Sequence, residues 1–222
     1  RKGLSKFERK GRLGAGEAQA RANAIRQAAA LKEMAPCDFV IEAVLEDIAL
    51  KRKVFGELEA YVSDSAVLAS NTSSISITQI ASACRAPGRV IGTHFFNPVP
   101  LMKLIEIIRG EKTSQPAFEQ ARQLGALFGK TIVEAKDSPG FIVNRVLMHY
   151  FLAPLKMLSQ GEAGIEQIDG ACGQAGYPMG PFQVADLAGG DIGWATRKRR
   201  ASTRSPKARY VQIADRICER GW

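Results

Sequence analysis

A histidine near the end of an apolar run is the residue best suited to move a proton. His94 lies in the strand-like segment Arg89–Phe96, just before Asn97 and Pro98. Imidazole changes charge near neutral pH, so it can act as a general base. A lone histidine can equally be a satisfied core residue. The strand end favours the base, because open α/β sheets bind ligands at the carboxyl ends of their strands.

A carboxylate that could orient His94 follows in the next apolar run. Glu106 interrupts the otherwise apolar segment Leu104–Ile108. A buried carboxylate without a partner is costly. Glu106 therefore either pairs with His94, which would fix the imidazole tautomer and favour its charged form, or faces solvent at an exposed edge. The sequence leaves both interpretations open.

Small polar residues follow another strand-like run. Ser73 and Ser74 end the string SNTSS, where they could cap the next helix or point their hydroxyls into a cleft. Asn144 lies in an apolar helical segment, and a buried amide there needs partners that a ligand could supply. We treat Ser73 and Asn144 as candidate site residues.

Five short apolar runs alternate with helical patterns before residue 138. This alternation predicts an α/β fold with a mostly parallel sheet. Beyond Ser138-Pro139-Gly140 the patterns are helical only, so we place a domain boundary near Asp137, with domains 1–137 and 138–222. The runs are Asp38–Val44, Ala66–Asn71, Arg89–Phe96, Leu104–Arg109 and Thr131–Ala135.

The expected start of a doubly wound sheet is absent from the sequence. Such a sheet begins with a strand, a glycine-rich turn and a helix. Gly14-Ala15-Gly16 is a near match, but no strand precedes it and Gln19 occupies the third glycine position. It lies before a predicted helix, Glu17–Lys32. The sequence therefore predicts an incomplete Rossmann-like doubly wound parallel sheet, followed by an all-helical domain.

The amino-acid composition narrows the possible classes of function and of binding partner. The net charge is +9, concentrated in 1–12 and 197–209, which favours an anionic partner or solvated helix faces. Two histidines exclude a histidine-rich metal site. No apolar run approaches the roughly 20 residues that a membrane span needs, and the N-terminus lacks a signal peptide pattern. Four scattered cysteines favour a reducing, cytoplasmic location.

Four strings in order carry a family resemblance: SNTSS, HFFNPVPLMKLIEII, DSPGFIVNR and GYPMGPF. Together they resemble L-3-hydroxyacyl-CoA dehydrogenases over about Asp38 to Ala188. The part from Asp191 to Trp222 is more similar to the multifunctional fatty-acid β-oxidation proteins, which also carry an enoyl-CoA hydratase domain. No hydratase-like segment is visible in this sequence.

The resemblance implies oxidation of (S)-3-hydroxyacyl-CoA to 3-oxoacyl-CoA with NAD. His94 would take the hydroxyl proton, and Glu106 would be its partner. Ser73 would contact substrate and cofactor, and Asn144 would hold the substrate oxygen. Cofactor contacts are implied for Glu46, Lys51 and Asn97, with Lys51 also near CoA.

The departures from the family lead to further expectations. The family's GxGxxG loop and the acidic residue that binds ribose are not in the sequence, so we expect a fragment that binds NAD poorly by itself. We also expect a homodimer through the helical domain. The alternatives are a module of a multifunctional hydratase–dehydrogenase and a non-catalytic, crystallin-like relative. We expect no nucleic-acid partner, since 197–209 contains no base-stacking aromatic residue.

Overall fold

A single five-stranded sheet organises the first part of the protein. The computed structural model describes residues 2–190, 193–194, 197–198, 201, 205, 210 and 212–221. The spatial order of the strands is their order along the chain. All neighbouring pairs are parallel except β3 and β4, which are antiparallel. The strands are β1 (Phe39–Glu42), β2 (Val67–Ser70), β3 (Val90–Phe95), β4 (Leu104–Arg109) and β5 (Thr131–Lys136).

Helices cover both faces of this sheet. On one face, α3 (Ile48–Glu59) and α4 (Ile77–Ala81) contribute to an apolar cluster. On the other, α5 (Gln115–Leu127) contributes to a second cluster. The central strands β2 and β3 are mostly apolar, because both of their faces are buried. The predicted Rossmann-like fold is confirmed in this respect.

The second part of the protein is helical. It contains α6 (Val143–Ser159), α7 (Ile165–Gln174), α8 (Pro181–Ala188) and a last described helix, Ile213–Glu219. Asp169 of α7 accepts hydrogen bonds from the Phe182 and Gln183 amides, each at 3.0 Å, and so caps α8. A Cβ at Gly180 would lie 2.4 Å from Asp169 Cα, which explains the glycine there. The division into two domains at Asp137 stays a prediction.

The N-terminal helices are shorter than the sequence pattern indicates. After α1 (Lys2–Arg9), α2 runs over Glu17–Ala24 and not to Lys32; a short 3-10 helix, Leu31–Met34, follows. Only Ala18 and Ala22 are buried in α2, and Ile25 beyond it is 73% exposed. Helices gain most of their stability by packing an apolar face, so α2 ends where that face ends.

The Gly14-Ala15-Gly16 turn uses its amides within the chain. The Gly14 amide donates to Glu17 Oε2 at 2.6 Å, and the Gly16 amide donates to Glu8 Oε1. Carboxylates of the protein thus take the positions that phosphate oxygens would need.

The basic C-terminal stretch and the membrane question complete the fold description. Most of 197–209 lies outside the described residues. Among the helices that the structure describes, none combines the length and the hydropathy that crossing a bilayer would need.

Gly92 marks the tightest packing in the sheet and provides a test of the fold. A Cβ there would lie 2.8 Å from Ile77 Cδ1 and 2.9 Å from Ile108 Cβ. We predict that Gly92→Ala lowers the free energy of unfolding by about 1–3 kcal/mol through overpacking. Urea denaturation measures it.

Gly170→Ala is the matched control for this substitution. Gly170 lies inside α7, where an added Cβ meets nothing within 4 Å. Alanine should raise the free energy of unfolding there by about 0.5–1 kcal/mol. If Gly92→Ala were as stable as the native protein, the close contact between β3, β4 and α4 would be wrong.

Candidate active site

The antiparallel pairing of β3 and β4 brings His94 opposite Glu106. The two residues are directly paired in the strand register, and His94 Nδ1 lies 2.7 Å from Glu106 Oε2. His94 is 4% exposed and Glu106 is fully buried. Glu106 therefore does not occupy an exposed edge, and of the two interpretations that the sequence left open the paired one describes the structure.

Ser73 lies on the other side of the imidazole. It follows β2, which is parallel to β3, so the loops after these strands meet at one edge of the sheet. Ser73 Oγ lies 3.0 Å from His94 Nε2. Because a carboxylate only accepts hydrogen bonds, Nδ1 must donate to Glu106. In the neutral ring Nε2 is then the acceptor and Ser73 is the donor.

Glu106 also holds the start of the helical part. Its second oxygen, Oε1, accepts hydrogen bonds from the Ile142 amide at 2.8 Å and the Val143 amide at 2.9 Å. The sequence pattern is helical from directly after Gly140, but α6 begins at Val143. Gly140 and Phe141 both have a positive φ, which turns the chain so that these amides face Glu106. Sequence reasoning missed this contact.

Two aromatic rings enclose the imidazole. The centroid of Phe96 lies 4.6 Å from that of His94, and the centroid of Phe141 lies 5.7 Å away. Phe141 is 3% exposed and belongs to the main apolar cluster. Apolar walls of this kind strengthen the electrostatic interactions of the groups they enclose.

The electrostatic balance keeps Glu106 ionised. Burial raises the pKa of this carboxyl, but the hydrogen bonds from His94 and the two amides, with the attraction of the imidazole, more than offset it. The resulting pKa lies below the ordinary value for glutamate. An ionised Glu106 can stabilise the imidazolium that forms when His94 takes a proton.

Asn144 joins the same cluster from the helical part. It lies in the first turn of α6, and its side-chain Nδ2 donates to the carbonyl oxygen of Ser73 at 3.4 Å. Asn144 is exposed, so it borders the open side of the cluster. Asn97 is also exposed, in the loop that follows β3.

Glu46 binds the loop that carries Ser73. Its Oε1 accepts from the Ser73 and Ser74 amides at 3.1 and 3.0 Å, and from the hydroxyls of Thr72 and Ser74 at 2.6 and 3.0 Å. Burial raises the pKa of Glu46, but the Thr72 and Ser74 hydrogen bonds and the Lys51 charge together lower it. Its side chain is 27% exposed.

Lys51 and Glu42 form an interior ion pair beneath this loop. Lys51 Nζ lies 2.7 Å from Glu42 Oε1, and both side chains are 1% exposed. Glu42 was missed at the sequence level. The signal was available, because Glu42 interrupts the apolar run Asp38–Val44 as Glu106 interrupts its own strand.

The arrangement can move a proton between a bound hydroxyl and His94 Nε2. Glu106 fixes the imidazole from behind, and Ser73 stands at the nitrogen that faces outward. Asn144 borders the open side, so a substrate oxygen near Ser73 Oγ would meet hydrogen-bond donors as well as a base.

Comparisons with known proteins identify the family. Residues 1–138 match the family model described as 3-hydroxyacyl-CoA dehydrogenase, NAD binding domain. Residues 140–222 match 3-hydroxyacyl-CoA dehydrogenase, C-terminal domain. The predicted resemblance is confirmed, and NAD, the predicted cofactor, is the one that the first description names.

Individual relatives agree with the family models. The human mitochondrial hydroxyacyl-coenzyme A dehydrogenase is 44% identical over 155 residues, covering 69% of this chain and 49% of the human protein. The guinea pig peroxisomal bifunctional enzyme is 38% identical over 207 residues, covering 88% of this chain and 28% of that enzyme. The chain spans about half the length of the first curated relatives it matches.

A solved structure shares the fold closely. The (S)-3-hydroxybutyryl-CoA dehydrogenase of Ralstonia eutropha superimposes with a TM-score of 0.92 at 33% identity, covering 100% of this chain and 79% of that one. The match includes both the sheet and the helical part.

The hydrogen bonds of His94 predict a tautomer that can be measured. We expect Nδ1 to carry the proton in the neutral ring, because Glu106 only accepts. In Glu106→Gln the side-chain amide can keep its oxygen on Ile142 and Val143 and turn its NH₂ group to His94. The imidazole should then protonate at Nε2.

Nitrogen-15 chemical shifts of the imidazoles distinguish the two tautomers. His149, which is exposed in α6, is the other histidine of the chain. A His149→Gln background therefore leaves one imidazole to observe. The same tautomer in the native protein and in Glu106→Gln would contradict the assigned hydrogen bonds.

Proposed function

The chain belongs to the 3-hydroxyacyl-CoA dehydrogenase family, and from that premise we propose that it oxidises (S)-3-hydroxyacyl-CoA to 3-oxoacyl-CoA. The observation that supports the proposal best is the line Ser73–His94–Glu106, with contacts of 3.0 and 2.7 Å, which ends beside Asn144. A structural protein would have no need of a buried base whose outer nitrogen lies 3.0 Å from a serine hydroxyl.

His94 is the general base of the proposed reaction. Its Nε2 takes the proton from the 3-hydroxyl of the substrate, and Glu106 stabilises the imidazolium through Nδ1. Ser73 Oγ and Asn144 Nδ2 hold the substrate oxygen as it becomes a carbonyl. Phe96 and Phe141 keep water from the imidazole. Bound NAD would supply the hydride acceptor for this oxidation.

The residues around the site fit the placement of NAD at the carboxyl ends of the strands. The loop after β2 and the half-exposed Glu46 lie at that edge of the sheet, where open α/β folds bind dinucleotides. We propose Glu46, Ser73 and Asn97 as residues that contact the cofactor. Lys51 is enclosed beneath Glu46, so we propose that it supports this edge from inside.

The biological setting is also a proposal. We place the reaction in fatty-acid β-oxidation, either in a single-activity enzyme or in a hydratase–dehydrogenase. The second setting is supported by the match to the peroxisomal bifunctional enzyme, which extends over more of this chain than the match to the human mitochondrial enzyme. Sequencing the surrounding gene distinguishes the two.

The cellular compartment and the assembly state of the protein are further proposals. All four cysteines are free, which supports the predicted reducing, cytoplasmic location, although the human relative is named mitochondrial. Apolar side chains exposed on the helical part, such as Val146 at 68%, Tyr177 at 54% and Leu187 at 75%, support the predicted homodimer. Sedimentation velocity of the protein measures its assembly state; a monomer at micromolar concentration would contradict the dimer.

NADH consumption with acetoacetyl-CoA tests the activity, using the protein as its gene encodes it. We predict turnover by the native protein, and a fall in kcat of about 10²- to 10⁴-fold in His94→Gln, because the base is lost. His149→Gln should retain full kcat, since His149 is exposed away from the cluster.

Two outcomes would count against the proposal. If a folded native protein binds NADH but does not consume it, the hypothesis of dehydrogenase activity is contradicted and the crystallin-like role is favoured. Full activity in His94→Gln would mean that the protein is a dehydrogenase whose general base is a group other than His94.

A further inference from the structure

Lys51 is a charged side chain with no access to solvent. Its ammonium lies among three oxygens: Glu42 Oε1 at 2.7 Å, the Val44 carbonyl at 3.3 Å and Glu46 Oε2 at 3.4 Å. Glu42 is equally enclosed, and its Oε2 accepts from Ser70 Oγ at 2.7 Å. The pair lies where β1 and β2 end, directly beneath the loop that carries Ser73.

Stability alone does not account for such a pair. Removing two charges from water is expensive, and well-packed apolar residues often serve as well or better. A buried ion pair is better explained where it fixes the position of something else. Lys51 is shared between Glu42 and the partly exposed Glu46, so Glu46 is the group whose position the pair can fix.

Glu46 connects the ion pair to the loop that carries Ser73. Its Oε1 accepts four hydrogen bonds from Thr72, Ser73 and Ser74, two of them from backbone amides. The loop in turn presents two groups of Ser73. Its hydroxyl lies 3.0 Å from His94 Nε2, and its carbonyl oxygen accepts from Asn144 Nδ2 at 3.4 Å.

We propose that Lys51 and Glu42 are positioning residues, which act through Glu46 to hold Ser73 at hydrogen-bond distance from His94. The inference rests on the proposed dehydrogenase function and deepens it. Glu42 would be left as a buried charge without its counter-ion if the Lys51 ammonium moved away from it.

The test compares two variants with a control. Lys51→Met alone leaves Glu42 unpaired and can unfold the protein. The double variant Lys51→Met/Glu42→Gln removes both charges. The glutamine side-chain oxygen can accept from the Val44 amide and its NH₂ group can donate to Ser70 Oγ, so the variant should fold with a melting temperature near that of the native protein. Lys53→Met is the matched control, because Lys53 lies on the same helix with its side chain 73% exposed.

We expect the double variant to lose kcat while it stays folded. Displacement of a reacting group by about 1 Å can cost on the order of 100-fold in rate, so a fall of about 10- to 100-fold in kcat is predicted. The KM for NADH should rise by a smaller factor than kcat falls, because Glu46 and Ser73 are also proposed contacts of the cofactor. The loss should be the same with acetoacetyl-pantetheine, which lacks the phosphates of the CoA nucleotide. Hydrogen exchange at the Ser73 and Ser74 amides should accelerate.

Three results would overturn the inference. If the native protein is active and the double variant has the same kcat, the pair serves folding only. A rise in KM alone, or a loss that disappears with the pantetheine thioester, would mean that Lys51 contacts a ligand. Unchanged hydrogen exchange at the Ser73 and Ser74 amides would contradict the proposed link between the ion pair and this loop. That result does not depend on activity, so it would count even if the native protein proved inactive and the proposed function failed.

Discussion

The carboxylate of Glu106 connects three parts of the protein. It stands on β4, binds the base of β3 through one oxygen, and binds the first amides of α6 through the other. A fully buried negative charge is costly unless every lone pair is used. Here the partners that satisfy the charge are the base itself and the entry to the helical part. The hydrogen bonds that stabilise the buried charge of Glu106 therefore also assemble the site.

The same physical solution recurs at the neighbouring strand ends. Glu46 satisfies its carboxylate with the amides and hydroxyls of the Ser73 loop, and Asp137 satisfies its own with the Ile77 and Thr78 amides at the start of α4. In each case a short loop is ordered by an acidic side chain that is distant in sequence. Ser73 lies on a loop, but the carboxylate of Glu46 beneath it fixes that loop to the sheet.

Much of this could be predicted from sequence, for identifiable reasons. The strands could be predicted because they are short, mostly apolar runs, and His94 and Glu106 could be singled out because each interrupts such a run. The start of α6 at Val143 was not predictable, because it depends on amides turned toward Glu106 by a residue with positive φ, Phe141. The burial of Lys51 was not predictable for a similar reason. Its ion-pair partner, Glu42, lies on another element.

The central claim is that one carboxylate both orients the base and fixes the entry to α6. Hydrogen exchange at the Ile142 and Val143 amides, measured beside kcat, tests it most directly. We expect Glu106→Ala to lose kcat and the protection of both amides together, and Glu106→Gln to lose kcat while the amides stay protected, because glutamine retains an acceptor oxygen. Native protection of both amides in Glu106→Ala, or native kcat in either variant, would contradict the account.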